Sequence, residues 1–512
     1  MDASEGPLGR HVAAGLKWTV GETWGQQALH LVVFVFLARL LSEADFGLVA
    51  LAAVFVSFAQ LVVDQGLGDA LIQRREITRR QVDTAFWVAL GTGAVLTGLG
   101  LLLGPAIGGL LGEPALGPVL QVLSLTFLLS AFSSIQIALL RRQLAFRSLA
   151  MRAIVATIGG GIAGISLALA GFGVWALVAQ QVAAAVLSVL LLWRISPWRP
   201  GRSFSWPDFR DLFRFGINVV GSDFLSFLSR NLDNLLIGAV LGTVPLGLYA
   251  VGYRILAVSQ TLLLNVARRI TFPAFARLQH DPARLVRAYF RVTRTGAAVI
   301  LPGYVGLALV APELTVVLFG ERWAEAGLVA STLFLIGPVL SVQAFSNSLL
   351  NAAGHPEVVL RFRLLTTVLN VIGFAIAVWF GIIAVAAAFV MRGYLLLPLN
   401  LRWMRAYAGV PMGPYLRQLV PAATVTVAMA SAVLVIKVLA AGRLTDAGLL
   451  AAEIAAGAAA AAASLLLVQR PFLDELMGVA RDVVSRRAAD PEPPPERDEV
   501  EPSAAPGPAP RV

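Results

Sequence analysis

Apolar runs of about 20 residues, enough to cross roughly 30 Å of hydrocarbon, follow one another from residue 15 to residue 468, separated by short polar or glycine-rich breaks. The pattern predicts an all-α integral membrane protein with about fourteen transmembrane helices at 15–41, 46–70, 85–103, 119–140, 150–170, 174–193, 215–241, 246–270, 292–310, 326–350, 364–380, 382–403, 419–439 and 447–468. Trp18, Trp87, Trp175, Trp193, Trp323, Trp379 and Trp403 fall near span ends, as interfacial anchors do. The sequence PEPPPERDEVEPSAAPGPAP after Asp490 is rich in proline and acids and has too little apolar surface to form a core.

The pattern also repeats. FGLVALAAVFVSFAQ at 46–60 aligns with LGLYAVGYRILAVSQ at 246–260, an offset of 200 that holds without a gap through Gly47/Gly247, Leu48/Leu248, Ala50/Ala250 and Gln60/Gln260. A second echo, FGVWALV from Phe172 and FGIIAVA from Phe380, keeps the order at an offset of 208. Two related six-helix lobes, 1–194 and 215–405, are therefore expected, joined by a cytoplasmic linker at 195–214. Two extra helices follow at 406–470, then a cytoplasmic tail at 471–512 that is disordered from about 490. Six spans per half is an even number, so the halves enter the membrane from the same side, as in transporters built from parallel repeats.

Composition fixes the solvent: 58% of residues are hydrophobic and 14% charged, outside the usual soluble range. Arginines set the orientation because Lys and Arg concentrate in short cytoplasmic loops. Arg74, Arg75, Arg79, Arg80, Arg141, Arg142, Arg147, Arg194, Arg199, Arg202, Arg210, Arg277, Arg284, Arg287, Arg361, Arg363, Arg405 and Arg417 all follow even-numbered spans, so both termini are expected inside. The net charge of +10 is explained by this bias and by anionic inner-leaflet lipid, and gives no case for nucleic acid. The residues before the first span lack an apolar signal region, so no cleaved signal is expected. With no cysteine there are no disulfides or thiolate metal sites. The two lysines, Lys17 and Lys437, stand in no G-x-x-x-x-G-K frame, which excludes a P-loop.

NLDNLLIGAVLGTVPLGLYAVGYRI from Asn231, FPAFARLQHDPARLVRAYFR from Phe272, ARLLSEADFGLVALAAVF from Ala38 and DQGLGDALIQRR from Asp64 resemble the polysaccharide transporters of the multidrug/oligosaccharidyl-lipid/polysaccharide exporter superfamily. The similarity runs over residues 10 to 470 and is greatest to the Wzx/WzxC-like oligosaccharide flippases. The resemblance implies a V-shaped pair of six-helix lobes working by alternating access. It also implies a substrate, undecaprenyl-pyrophosphate-linked oligosaccharide, moved across the cell inner (plasma) membrane for polysaccharide biosynthesis. The neighbours expected are membrane lipids, a polysaccharide polymerase and glycosyltransferases.

Polar residues inside spans are costly, about 2.5–3.5 kcal/mol for a charge at helix centre, and generally face a bundle interior or a wet cavity. Asp223, Ser226, Arg230 and Asn234 form one stripe on the seventh span, with Asp233 adjoining, and the first half offers Gln26 and His30 at the matching positions. Lining of a central cavity is expected of these residues; an intrahelical Asp–Arg pair is the structural alternative. Arg230, Arg254 and Arg392 are intramembrane cations of the second lobe and candidates for gripping an anionic headgroup, since arginine's planar fork holds phosphate oxygens bidentately. Glu22, Asp64 and Asp223 are the candidates for ion coupling. No catalytic residues, no metal and no cofactor are expected, only a coupling ion, H+ or Na+. Gly160 and Gly164 are read as packing residues, as is the small-residue run AAEIAAGAAAAAASLLL that contains Glu453. Pro302, Pro338, Pro398 and Pro421 interrupt spans as candidate hinges. A drug or metabolite/cation antiporter of the same superfamily remains the alternative. A membrane glycan polymerase or ligase fits less well, because the longest external loop, 104–118, carries Glu113 alone among ionisable side chains.

Overall fold

The computed structural model describes residues 25–64, 67–73, 76–261, 275–440 and 442–467, with the backbone alone at 64, 67, 69, 73, 211–226 and 229. All regular structure among the described residues is helical. In chain order the helices are α1 (Gly25–Leu40), α2 (Glu43–Asp64), α3 (Leu67–Gln73), α4 (Arg79–Leu110), α5 (Leu116–Arg142), α6 (Phe146–Leu169), α7 (Val174–Ile195), α8 (Trp206–Val240) and α9 (Thr243–Gln260). There follow α10 (Pro282–Phe319), α11 (Ala324–Phe334), α12 (Gly337–Gln343), α13 (Ser346–Ala352), α14 (Pro356–Ala377), α15 (Ile382–Ala408), α16 (Met412–Ala440) and α17 (Asp446–Leu467). Eleven of these helices or helix runs are long and apolar enough to cross a membrane, and the described parts of the three remaining predicted spans fall in α1, α8 and α9. The chain is a multi-pass membrane protein. The described residues up to Ala461 form one compact unit, and residues 462–467 are helical.

The offset of 200 reappears in the backbone. Helix α1 ends at Leu40 and α8 at Val240, while α2 begins at Glu43 and α9 at Thr243. The helices α2 and α9 cross at Gly47 and Gly247. A Cβ on Gly47 would stand 1.8 Å from the Thr243 carbonyl oxygen, and one on Gly247 would stand 1.9 Å from that of Glu43. Each glycine thus meets the residue 200 positions from its partner's contact, the exchange that a pseudo-twofold relation between repeats requires. Only hydrogen fits at either position, so the backbones approach as closely as in small-residue membrane contacts. The offset of 208 marks a second equivalent pair, the turns at Gly173 and Gly381 (φ +53 and +98) that precede α7 and α15.

At the end predicted to be external, each half grips the other. Arg39 donates to the carbonyls of Leu318 at 2.8 Å and Val317 at 2.6 Å. In return Trp323 Nε1 donates to Ala38 O at 2.8 Å and Arg322 to Leu41 O at 3.2 Å. Phe46 meets Trp323 edge-on with ring centroids 5.3 Å apart, and Phe34 meets Phe319 at 5.6 Å. The carbonyls that α1 and α10 cannot satisfy at their own C-termini are thereby capped from across the seam.

The linker is shorter than the predicted 195–214, because α7 runs to Ile195 and α8 starts at Trp206 with Ser205 as its N-cap, accepting from Asp208 N at 3.3 Å. The linker is fastened to α4. The buried Asp83 carboxylate of α4 accepts from Gly201 N at 3.1 Å and Ser203 Oγ at 2.8 Å, and Trp87 Nε1 donates to Gly201 O at 2.8 Å. Trp206 is exposed. The prolines also sort themselves: Pro302, Pro398 and Pro421 sit inside continuous helices, whereas Pro338 opens α12 just after the break between α11 and α12. The external loop read as 104–118 narrows to the five residues between α4 and α5, because α4 continues through Pro105 to Leu110.

Candidate functional site

Four polar side chains sit about equally far along their helices from the end predicted to be external. At 1.5 Å per residue, His30 lies about 15 Å below the outer end of α1, Arg230 about 15 Å below that of α8, Arg254 about 16 Å below that of α9 and Arg392 about 15 Å below that of α15. That is half of a hydrocarbon core about 30 Å thick.

The polar groups divide in two. On the side of the first repeat, a cavity of about 380 Å³ is lined by His30 and Phe34 of α1, Thr157 of α6, Gln180 and Gln181 of α7 and Arg254 of α9. His30 Nε2 lies 3.4 Å from Thr157 Oγ1, and the Arg254 guanidinium carbon lies 5.8 Å from the Phe34 ring centroid. Gly160 lines the same cavity while packing on α7, where a Cβ would meet Gln180 O at 2.6 Å. Arg254 therefore leaves its own half and reaches into the other.

On the side of the second repeat, Tyr253 stacks on Tyr249 with ring centroids 6.1 Å apart. Asp233 is buried, accepting from Tyr249 Oη at 2.8 Å through Oδ2 and from Asn234 N at 2.9 Å through Oδ1. The Arg230 side chain is exposed. Arg392 is half-buried with its guanidinium carbon 4.7 Å from the Phe389 ring centroid. Both Arg254 and Arg392 keep a buried Nε–H that finds no acceptor among the described residues. An unsatisfied buried donor costs about 1–3 kcal/mol, a cost that an incoming anion oxygen offsets. Arg254 and His30 thus line one cavity, and Arg230 and Arg392 are not among its lining residues.

The remaining candidates divide by position. Gln26 is half-buried on α1 and Asn234 half-buried on α8. Glu22 lies outside the described residues, as do the side chains of Asp64, Asp223 and Ser226. No group of three or more His, Cys, Asp or Glu with metal-binding geometry occurs among the described residues. The sequence reading missed Thr157, Gln180, Gln181, Tyr249 and Tyr253. Adjacent amides inside an apolar span such as 174–193 were a usable signal for the glutamines, whereas the tyrosines pass for core or interfacial aromatics until their neighbours are known.

Comparison with known proteins adds the family. A family model described as polysaccharide biosynthesis protein matches residues 36–328. The lipopolysaccharide biosynthesis protein WzxC of Escherichia coli (strain K12) is 28% identical over 362 residues, covering 70% of this chain and 73% of the relative. The succinoglycan biosynthesis transport protein ExoT of Rhizobium meliloti (strain 1021) is 28% identical over 358 residues, covering 70% and 72%. Among solved structures, the lipid II flippase MurJ in an inward closed conformation superposes with a TM-score of 0.68 at 13% identity, covering 91% of this chain and 99% of that one, which establishes a shared fold. The family match takes in more than half of the sequence, and the chain belongs to the polysaccharide biosynthesis protein family.

Proposed function

We propose that the chain is a flippase that moves undecaprenyl-pyrophosphate-linked oligosaccharide across the inner membrane by alternating access, supplying cell-surface or exopolysaccharide biosynthesis. The observation that carries this reading is the mid-depth pair of buried, unsatisfied arginine donors at Arg254 and Arg392. In this reading Arg230, Arg254 and Arg392 hold the pyrophosphate. Gln26, His30, Asp233 and Asn234, with Asp223 and Ser226, line the path. The amides of Gln180 and Gln181 and the hydroxyl of Thr157 offer sugar hydroxyls both donors and acceptors. The names of the relatives point the same way, to lipopolysaccharide and succinoglycan assembly and, for MurJ, to flipping of lipid II. The grip between halves at the outer end supports loading from the cytoplasmic side. The chain catalyses no bond change in this account, and a cation gradient drives turnover. A polymerase and glycosyltransferases acting on the same lipid are its functional neighbours.

Deletion of the gene is expected to make lipid-linked oligosaccharide accumulate while surface polymer falls, as measured by lipid extraction and polymer assay. Normal polymer with no accumulation refutes the assignment. The same reading places both termini in the cytoplasm, and the absence of native cysteine makes the test direct. In intact cells an impermeant thiol reagent should label Ala106→Cys and spare Arg79→Cys. The reverse pattern overturns the orientation.

A further inference from the structure

The helix α17 carries a charged group that small-residue packing does not explain. Glu453 is fully buried, and neither carboxylate oxygen has a hydrogen-bond partner among the described residues. Two charges act on it: Glu313 of α10 and Lys437 of α16, whose Nζ lies 4.0 Å from Oε1. Lys437 is itself bound elsewhere: Nζ lies 2.9 Å from Glu313 Oε1 and 3.0 Å from Oε2, and donates to Leu309 O at 2.8 Å. Side chains tilt toward the N-terminus of their own helix. Since α16 runs outward and α17 inward, Lys437 leans down and Glu453 leans up, and the two converge about 10 Å below the outer helix ends. Val310, Val433 and Leu450 form an apolar cluster on the same three helices.

Two carboxylates and one ammonium in hydrocarbon leave one uncompensated negative charge, which is expensive. A metal cation is a poor remedy because Lys437 already occupies the space between the acids. A proton removes the charge without needing room. The outer halves of α10, α16 and α17 hold no other charged side chain except Asp446 at the mouth of α17. Lys437 is about one-third exposed, at 32%, and offers the route to water.

We propose that Glu453, Glu313 and Lys437 form a proton-binding site between the extra helix pair and α10, taking up and releasing one proton per transport cycle. Uptake moves one H+ from water to a Glu453 oxygen and leaves Lys437 paired with Glu313. Release returns that H+ to water and draws Lys437 toward Glu453. Glu313 lies one helical turn before Val317, whose carbonyl, with that of Leu318, is gripped by Arg39. A shift of Lys437 off Glu313 therefore bears on the outer closure between the halves. This coupling role rests on the transport reading above; the proton count does not.

The count is tested by infrared difference spectroscopy of the full-length protein in lipid nanodiscs at neutral pH, reading the carbonyl band of protonated carboxylic acid. Neutrality predicts one such group here in the unaltered chain, none in Glu453→Gln or in Glu313→Gln, and two in Lys437→Met. The two Glu→Gln variants are independent, so a folding defect in one leaves the other to decide. An unchanged band in either inserted Glu→Gln variant overturns the site. In vesicles loaded with polyprenyl-pyrophosphate-linked oligosaccharide, Glu453→Gln should make transport indifferent to an imposed pH gradient. A loss of the band with an undiminished response to the gradient leaves a proton site but overturns its coupling role, and a missing transport activity in the unaltered chain indicts the flippase reading alone.

Discussion

Replacing Arg230, Arg254 and Arg392 together by glutamine is expected to lower polymer export at least about 100-fold while the protein remains in the membrane at normal amounts. Hydrogen bonds to a charged group contribute about 1.5–3 kcal/mol each, and each 1.4 kcal/mol is about tenfold in affinity or rate. Glutamine keeps donors but removes the charge that a pyrophosphate in a low-dielectric path requires. The single changes should not be equivalent. Arg230 and Arg392 both stand outside the cavity that Arg254 lines and hold the same phosphate group in this account, so their double variant should lose less than the product of the singles. Arg254 stands with His30 across the seam, and its loss should multiply. Lysine at each position should restore export in part, since it returns a charge without the bidentate fork. Export by the triple variant at the unaltered rate means that these arginines are structural.

Valine at Gly47 or Gly247 is expected to break the outer closure. A Cβ 1.8 or 1.9 Å from a carbonyl oxygen has no rotamer to relieve it, so the two helix backbones must separate. Overpacking costs about 1–3 kcal/mol even where side chains can yield, and here the obstacle is backbone. The thermal midpoint in detergent should fall. Ala53 lines the first-repeat cavity, and Ala53→Cys should then label faster from outside in either variant background. Unchanged labelling and midpoint contradict the crossing. The two variants should resemble each other, because the exchange of contacts makes the positions equivalent.

Much of the bundle was legible in the sequence because a bilayer imposes a coarse code. Hydrocarbon thickness fixes span length, and backbone satisfaction forces helix, so eleven of the apolar runs were found in helices or helix runs long enough to cross a membrane, and the described parts of the other three lie in helices too. The offset of 200 was visible since the closest crossing tolerates glycine alone, and Gly47 and Gly247 had to survive in both halves. The site was less legible. Counting residues gives height along a helix but not the azimuth of one helix relative to another. Arg230, Arg254 and Arg392 were therefore grouped by residue type and span, and of the three Arg254 alone lines the cavity with His30. Lys437 was noted only for standing outside a P-loop, and Glu453 was absorbed into a packing face. Their meeting depends on which helices pack, and no spacing between 313, 437 and 453 encodes it. Likewise, the linker boundary at 195–214 followed composition, while α8 begins at Trp206 because Ser205 caps it and Asp83 fastens the residues before it.

The most direct test of the account is reconstitution of the purified chain, under an imposed proton or sodium gradient, into vesicles with lipid-linked oligosaccharide isolated from cells that lack the chain and labelled with a dye on the sugar. A membrane-impermeant reductant added outside destroys only dye in the outer leaflet. The account predicts that the full chain brings inner-leaflet dye to the reductant, and that the Arg230→Gln, Arg254→Gln, Arg392→Gln variant leaves it protected as in empty vesicles. Protection of the inner-leaflet dye with the unaltered chain, at the level of empty vesicles, would contradict it.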